Sequence, residues 1–117
     1  MVSSLRASGG NLLEDVPRRL ADEEVRPLLT TPDVVIERIV STGHASPPGF
    51  WYDQDDEEWV LLVQGSAALW VAGEPEPRQL VPGSYVHLPA HCRHRVEATS
   101  VEPPAVWLAV HHRESAA

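Results

Sequence analysis

The sequence contains no lysine and a single cysteine, Cys92. Without lysine, Schiff-base chemistry at a lysine amine is excluded, and all nine basic side chains are arginine. One cysteine allows neither an internal disulfide nor a cysteine-rich zinc knuckle, and a lone thiol is usually a small buried hydrophobe. Positive charge is scarce as well. Seventeen carboxylates leave a net charge of −8, which disfavours nucleic acid and anionic membrane, since both call for a basic face. No apolar run approaches the ~20 residues that span a bilayer, and "MVSSLRASGGN" lacks the apolar stretch of a secretory signal. The expected address is cytoplasmic. Absent too are a G-x-S-x-G elbow, a phosphate-cradling glycine loop and an H-E-x-x-H pair.

What is present is β-pattern. At 117 residues the chain has room for one domain. From Asp33 onward, "DVVIERIVS", "EWVLLVQG", "SAALWVAG", "RQLVPG", "SYVHLP", "HRVEATS" and "AVWLAVHH" are strand-sized runs. Gly/Pro/Ser clusters such as "GHASPPGF" and "SVEPP" separate them, and nearly all eleven prolines fall between runs. This predicts an all-β sandwich or barrel, with "SAALWVAGEPEPRQLVPG" as a hairpin tipped by "GEPEPR". Residues 1–32 are expected to be an N-terminal arm, its first ten or so flexible. Within it, "LADEEVRPLLTT" predicts a short helical turn closed before Pro32. Apolar Leu12, Leu13, Leu28 and Leu29 predict an arm packed on the barrel's outside or on a partner chain. The barrel is expected over 33–113, with a flexible tail at 114–117.

Two segments resemble the paired motifs of the cupin superfamily. Its second motif runs Gly, five residues, Pro, one residue, Gly, two residues, His. Gly83, Pro89 and His94 stand at those offsets, with His91 in the second glycine's place. The first motif ends in Glu, six residues, Gly, which Glu58 and Gly65 match. The chain is similar to a bacterial group of stand-alone cupin-domain proteins, and the resemblance covers roughly residues 33–112. It implies a single-domain jelly-roll β-barrel with a divalent metal held inside by Glu58 and His94. The family's preceding H-x-H pair falls here on Tyr52 and Gln54, or on Trp51 and Asp53, so no imidazole stands in either register. The ectoine synthases, cupins that eliminate water, also show "WY" before the glutamate and two histidines spaced like His91 and His94. Their second-motif tyrosine ligand would fall on Val86, which argues against the same reaction.

The residues make a separate case. Glu58 opens a nearly all-apolar strand, where a carboxylate needs a cation or hydrogen-bond donors, or else sits at the rim facing Arg93 or Arg95. His94 is either a metal ligand through one ring nitrogen or a hydrogen-bonded core histidine. Further ligands must come from "WYDQ", so Asp53 and Gln54 are candidate metal ligands and Tyr52 a candidate acid/base or positioning group. Oxygen donors with one or two imidazoles suit Fe, Mn or Zn. Alternation through "YVHL" turns His87 away from the interior, to a surface or interface position. His91, in the turn after Pro89, is expected at the barrel mouth as a third ligand or catalytic acid/base. His44 is a loop histidine, more often merely solvated. Of His111 and His112, alternation sends one inward. The four tryptophans fit core or interface positions.

Two functions follow as expectations. One is a small metal-dependent enzyme acting on a polar small molecule in the barrel by dioxygenation, isomerisation or water elimination. The other is a non-catalytic module that binds a metal or small ligand. A barrel that dimerises and binds nothing is the structural alternative. The expected partners are the small molecule and, as a homodimer, a second copy of the chain.

Overall fold

Every β-rich run of the sequence becomes a strand in the computed structural model, which describes residues 5–113. The eight strands are β1 Glu24–Thr30, β2 Val34–Ser41, β3 Glu57–Gln64, β4 Ala67–Val71, β5 Arg78–Leu80, β6 Tyr85–Leu88, β7 His94–Thr99 and β8 Ala105–His112. They form two antiparallel sheets, ordered β1-β2-β8-β3-β6 and β5-β4-β7. This is the expected all-β jelly roll. β4 and β5 form the predicted hairpin, pairing Ala67 with Leu80 and Leu69 with Arg78. The tail expected at 114–117, like the first four residues, lies outside the described residues.

One element differs from expectation. The segment read as a helical turn is extended instead, and β1 pairs antiparallel with β2 from Glu24↔Val40 to Thr30↔Val35. The sheet thus begins inside the stretch expected to be an arm. Acidic residues before leucines resemble a helix start, but the free edge of β2 offers ladder hydrogen bonds that an isolated short turn cannot match. Pro27 fits because β1 is an edge strand, where a missing N–H is tolerated, and the register slips by one residue between Pro27 and Leu29.

The rest of the arm packs on the outside of the large sheet. Arg38 points outward from β2 yet is 1% exposed, because the turn at residues 12–15 lies across it. Its Nη1 donates to the carbonyls of Leu12 (3.3 Å) and Glu14 (2.6 Å), and its Nη2 pairs with Glu24 Oε1 at 3.0 Å. Charge-assisted bonds to carbonyls with no partner of their own fasten the arm to the barrel.

Between the sheets, alternate residues of facing strands form the core: Val60 and Leu62, Leu69, Leu80, Val86 and Leu88, and Trp107 and Ala109. Cys92 packs against this core as an ordinary small hydrophobe. Gly65, the glycine that closes the first motif, adopts φ +85° between β3 and β4. A Cβ there would lie 2.9 Å from both the Ala105 Cα and the Pro104 carbonyl oxygen. Those are backbone atoms at the start of β8 and in the turn just before it, and cannot swing aside. Gly65→Ala should therefore destabilise the fold by at least about 2 kcal/mol, left-handed strain and overpacking adding together. Urea unfolding of the variant checks this. Among the described residues, no helix is long and apolar enough to cross a membrane.

Candidate functional site

The strand register settles which of the two "WYDQ" pairs faces inward. Tyr52 forms an isolated antiparallel bridge with His94: its N–H donates to the His94 carbonyl (2.7 Å), and the His94 N–H donates back (3.2 Å). Extended backbone puts alternate residues on one face, so Tyr52 and Gln54 line the barrel cavity together with Glu58 and His94. Trp51 lies outside, beneath the guanidinium groups of Arg93 and Arg95 at 5.7 and 5.9 Å from its ring centre.

Asp53 and His91 do not join that cavity. They pair with each other at the surface, Nδ1 to Oδ1 at 2.7 Å, with side chains 51% and 62% exposed. The hydrogen bond to Asp53, helped by the charges of Asp53 and Asp55 and opposed by slight desolvation, holds the His91 imidazole above its ordinary pKa. The structure thus does not bring the residues expected as metal ligand and catalytic acid/base to the cavity of Glu58 and His94. Asp53 alternates away from Gln54. His91 has φ +64°, a left-handed conformation that turns its side chain outward and explains why the family's motif has glycine there. The contact to Asp53 and the backbone bond from the His91 N–H to the Gln54 carbonyl, 2.7 Å, hold the imidazole in this unusual place. His87 points outward as expected, its Nε2 2.8 Å from Glu57 Oε1. His44 is tied down by both ring nitrogens, to the Thr42 N–H and the Ala21 carbonyl.

The cavity lies between the sheets, with a volume of about 190 Å³. Its floor is apolar, with Val60, Leu69, Leu88 and Trp107, and its polar wall brings Glu23, Glu37 and His111 beside the four expected residues. Glu23 and Glu37 were missed in the sequence, and of His111 and His112, one of which was expected inward, it is His111 that lines the cavity. On β8 the signal was present but weak. Trp107, Ala109 and His111 share the inward face, yet Val106 on the other face is also fully buried, so the strand shows no contrast between its sides. Glu37 faces inward with Ile39 on β2 and accepts from His111 Nε2 at 3.0 Å. Glu23 accepts from the buried Ser41 hydroxyl at 2.7 Å.

At the centre, two groups meet without a hydrogen bond. His94 Nδ1 lies 2.9 Å from the Cys92 carbonyl; a carbonyl only accepts, so Nδ1 carries the proton. In the neutral ring, Nε2 then presents a lone pair to the cavity. It faces Glu58 Oε1 at 3.5 Å, and that oxygen is buried with no hydrogen-bond partner. The other Glu58 oxygen is 3.9 Å from His111 Nε2. Two acceptors facing each other in a buried place call for a positive charge between them, either a proton on Nε2 or a metal cation. Burial works to lower the His94 pKa, but the Glu58 carboxylate and the Cys92 carbonyl outweigh it and hold the value above the ordinary one. Tyr52 stacks on the imidazole, ring centres 5.2 Å apart. Its phenol pKa is raised by burial and then by the charges of Glu23 and Glu58, so it stays protonated and available as a donor.

These donors fit a divalent transition metal. An imidazole with its far nitrogen fixed on a carbonyl is the usual arrangement of a metal-ligating histidine, and the unpartnered Glu58 oxygen supplies a carboxylate. His111 adds a second imidazole beside the same carboxylate once the proton that Nε2 now donates to Glu37 moves to Nδ1, and Gln54 adds a neutral oxygen. Two imidazoles with oxygen donors suit Fe, Mn or Zn.

Comparison with known proteins agrees with the fold. A family model described as the cupin domain matches residues 38–111. A solved structure from Ralstonia eutropha JMP134, described as a "putative mannose-6-phosphate isomerase", is 51% identical with a TM-score of 0.90, and the match covers 92% of this chain and 100% of that one. A cupin superfamily protein from Desulfitobacterium hafniense DCB-2 is 18% identical with a TM-score of 0.66, over 82% of each chain. An RmlC-like cupin from Methanocaldococcus jannaschii, with a double-stranded β-helix fold, is 18% identical with a TM-score of 0.64, over 83% of this chain and 85% of that one. The two distant structures are alike in fold. No curated protein matches.

Proposed function

The chain belongs to the cupin family, and from its cavity we propose a metal-dependent enzyme that moves a proton on a small, polar, non-phosphorylated molecule, as an isomerase or lyase does. The observation that carries this reading is the buried Glu58 oxygen, which has no hydrogen-bond partner and faces His94 Nε2 at 3.5 Å. A divalent Fe, Mn or Zn ion held by Glu58 and His94, with His111 and Gln54 beside them, would polarise a carbonyl or hydroxyl of the bound molecule. The chain's own groups do the rest. Tyr52, kept protonated, donates a hydrogen bond or a proton to a substrate oxygen, and Glu37, hydrogen-bonded to His111 on the same cavity wall, accepts one. The apolar floor excludes water and strengthens those interactions.

Size and charge narrow the substrate. A cavity of about 190 Å³ lies below the ~300–1,000 Å³ of pockets for drug-sized ligands. Its wall carries Glu23, Glu37 and Glu58 and, among the described residues, no arginine. A phosphate dianion 6 Å from one carboxylate would meet roughly 3 kcal/mol of repulsion per unit charge at an effective dielectric near 20. The name of the Ralstonia protein therefore supports an isomerase-type reaction but not a phosphorylated substrate for this chain.

Solvent exchange tests this reading without knowing the substrate in advance. Metal-loaded protein in D₂O, incubated with small neutral hydroxyaldehydes and hydroxyketones, should wash deuterium into positions beside the carbonyl, read by proton NMR. Phosphorylated counterparts should react at least about tenfold more slowly. Tyr52→Phe should slow exchange by ~10²–10⁴-fold, the usual worth of a placed acid or base. Preference for the phosphorylated compounds, or no exchange with any of them, would sink the reading.

A further inference from the structure

We propose that this barrel carries a second divalent-metal site on the outer face of its large sheet, built from Glu57, His87 and His112. The three residues come from the neighbouring strands β3, β6 and β8. Glu57 and His112 are direct cross-strand partners. His87 pairs with Trp59, which places it diagonally from Glu57 on the same face, within reach of a long side chain. One ligand atom from each residue lies within 4.8 Å of the other two. The site is separate from the cavity: Glu58 points inward from β3, and Glu57, its neighbour in sequence, points out.

The chemistry suits an ion such as Zn(II). Two imidazoles and one carboxylate make a three-ligand set with positions left for water, and the distances to Zn are about 2.0–2.2 Å. Small side-chain rotations would bring atoms now within 4.8 Å to that spacing. Glu57 is already fixed, its Oε2 accepting from the Ala90 N–H at 2.8 Å. Its Oε1, now 2.8 Å from His87 Nε2, is the free ligand atom. On binding, His87 moves its proton to Nδ1 and offers the Nε2 lone pair, so a neutral ring loses no proton. The ligands come from backbone already paired in a sheet, so little ordering is required of them. An ion there would clip the ends of β6, β3 and β8 together, and the chain's net charge of −8 favours its approach.

Zn(II) added to the full-length wild-type protein is the probe. Long-range ¹⁵N–¹H spectra of the imidazoles should show the ring nitrogens of His87 and His112 shifting as Zn(II) is added, independently of His94. His87→Ala and His112→Ala should each weaken binding at this site no less than the ~10–100-fold that loss of an outer-shell partner costs, measured by competition with a chromophoric chelator. The double substitution should remove one equivalent while His94 still responds to Zn(II). The His87 side chain is 51% exposed, so its removal leaves the fold intact, and the wild-type spectra need no variant at all. Unmoved His87 and His112 resonances at excess Zn(II), or an unchanged stoichiometry in the double variant, would overturn the proposal and leave the Glu57–His87 pair as a simple cross-strand hydrogen bond. Neither result bears on the cavity, because the residues are different.

Discussion

Arg38→Ala should destabilise the protein by about 3 kcal/mol, the cost typical of breaking a buried charged network. The guanidinium is 1% exposed and supports two arm carbonyls and Glu24 at once. Without it, the Leu12 and Glu14 carbonyls lose their donor and the outer face of β2 gains a void. The arm then has little reason to stay in place. A surface pair provides the control: Arg78 and Glu74 meet at 2.7 Å with side chains 47% and 31% exposed, and Arg78→Ala should cost no more than ~1 kcal/mol. Urea unfolding of both variants measures the difference. Equal and small effects would mean the arm contributes nothing to the fold.

The second large effect is on metal binding in the cavity. Glu58→Ala and His94→Ala should each lower affinity by ~100-fold or more, since removing a ligand costs at least as much as removing its supporting partner. Asp53→Ala and His91→Ala should leave that affinity nearly unchanged, because the pair sits at the surface with its side chains 51% and 62% exposed. The contrast is informative because all four residues lie within or beside the two motifs. Only their direction from the backbone separates them. Chelator competition on the four variants gives the comparison.

Much of the fold was legible because its strands alternate or run apolar between turn residues, and seven of them stand where the pattern placed them. β1 was not legible, since its sequence carries helix-like local cues and becomes a strand only through the edge of β2, a non-local partner. Part of the site was legible for the same reason as the fold. Glu58 is conspicuous as a carboxylate at the head of an apolar strand, and His94 by its spacing from Gly83 and Pro89. The two ends of "WYDQ" could not be told apart by counting, because a one-residue slip exchanges every side chain between faces; the Tyr52–His94 bridge decided it. His91 stands at the surface beside Asp53 on a left-handed backbone, a conformation that its spacing from His94 does not reveal. Glu37 stayed hidden, and His111 could not be told from His112, on strands buried on both faces, where polar and apolar positions no longer mark inside from outside.

The central claim is that a cation belongs between Glu58 and His94. Anomalous diffraction tests it most directly, on crystals of protein purified without chelators and grown near neutral pH, with data on both sides of the Fe, Mn and Zn absorption edges. The expected result is a peak inside the barrel within bonding distance of Glu58 Oε1 and His94 Nε2, near His111, and its loss in Glu58→Ala crystals. An empty cavity in crystals soaked with all three metals, with the Glu58 carboxylate and the imidazole joined by a hydrogen bond, would contradict it.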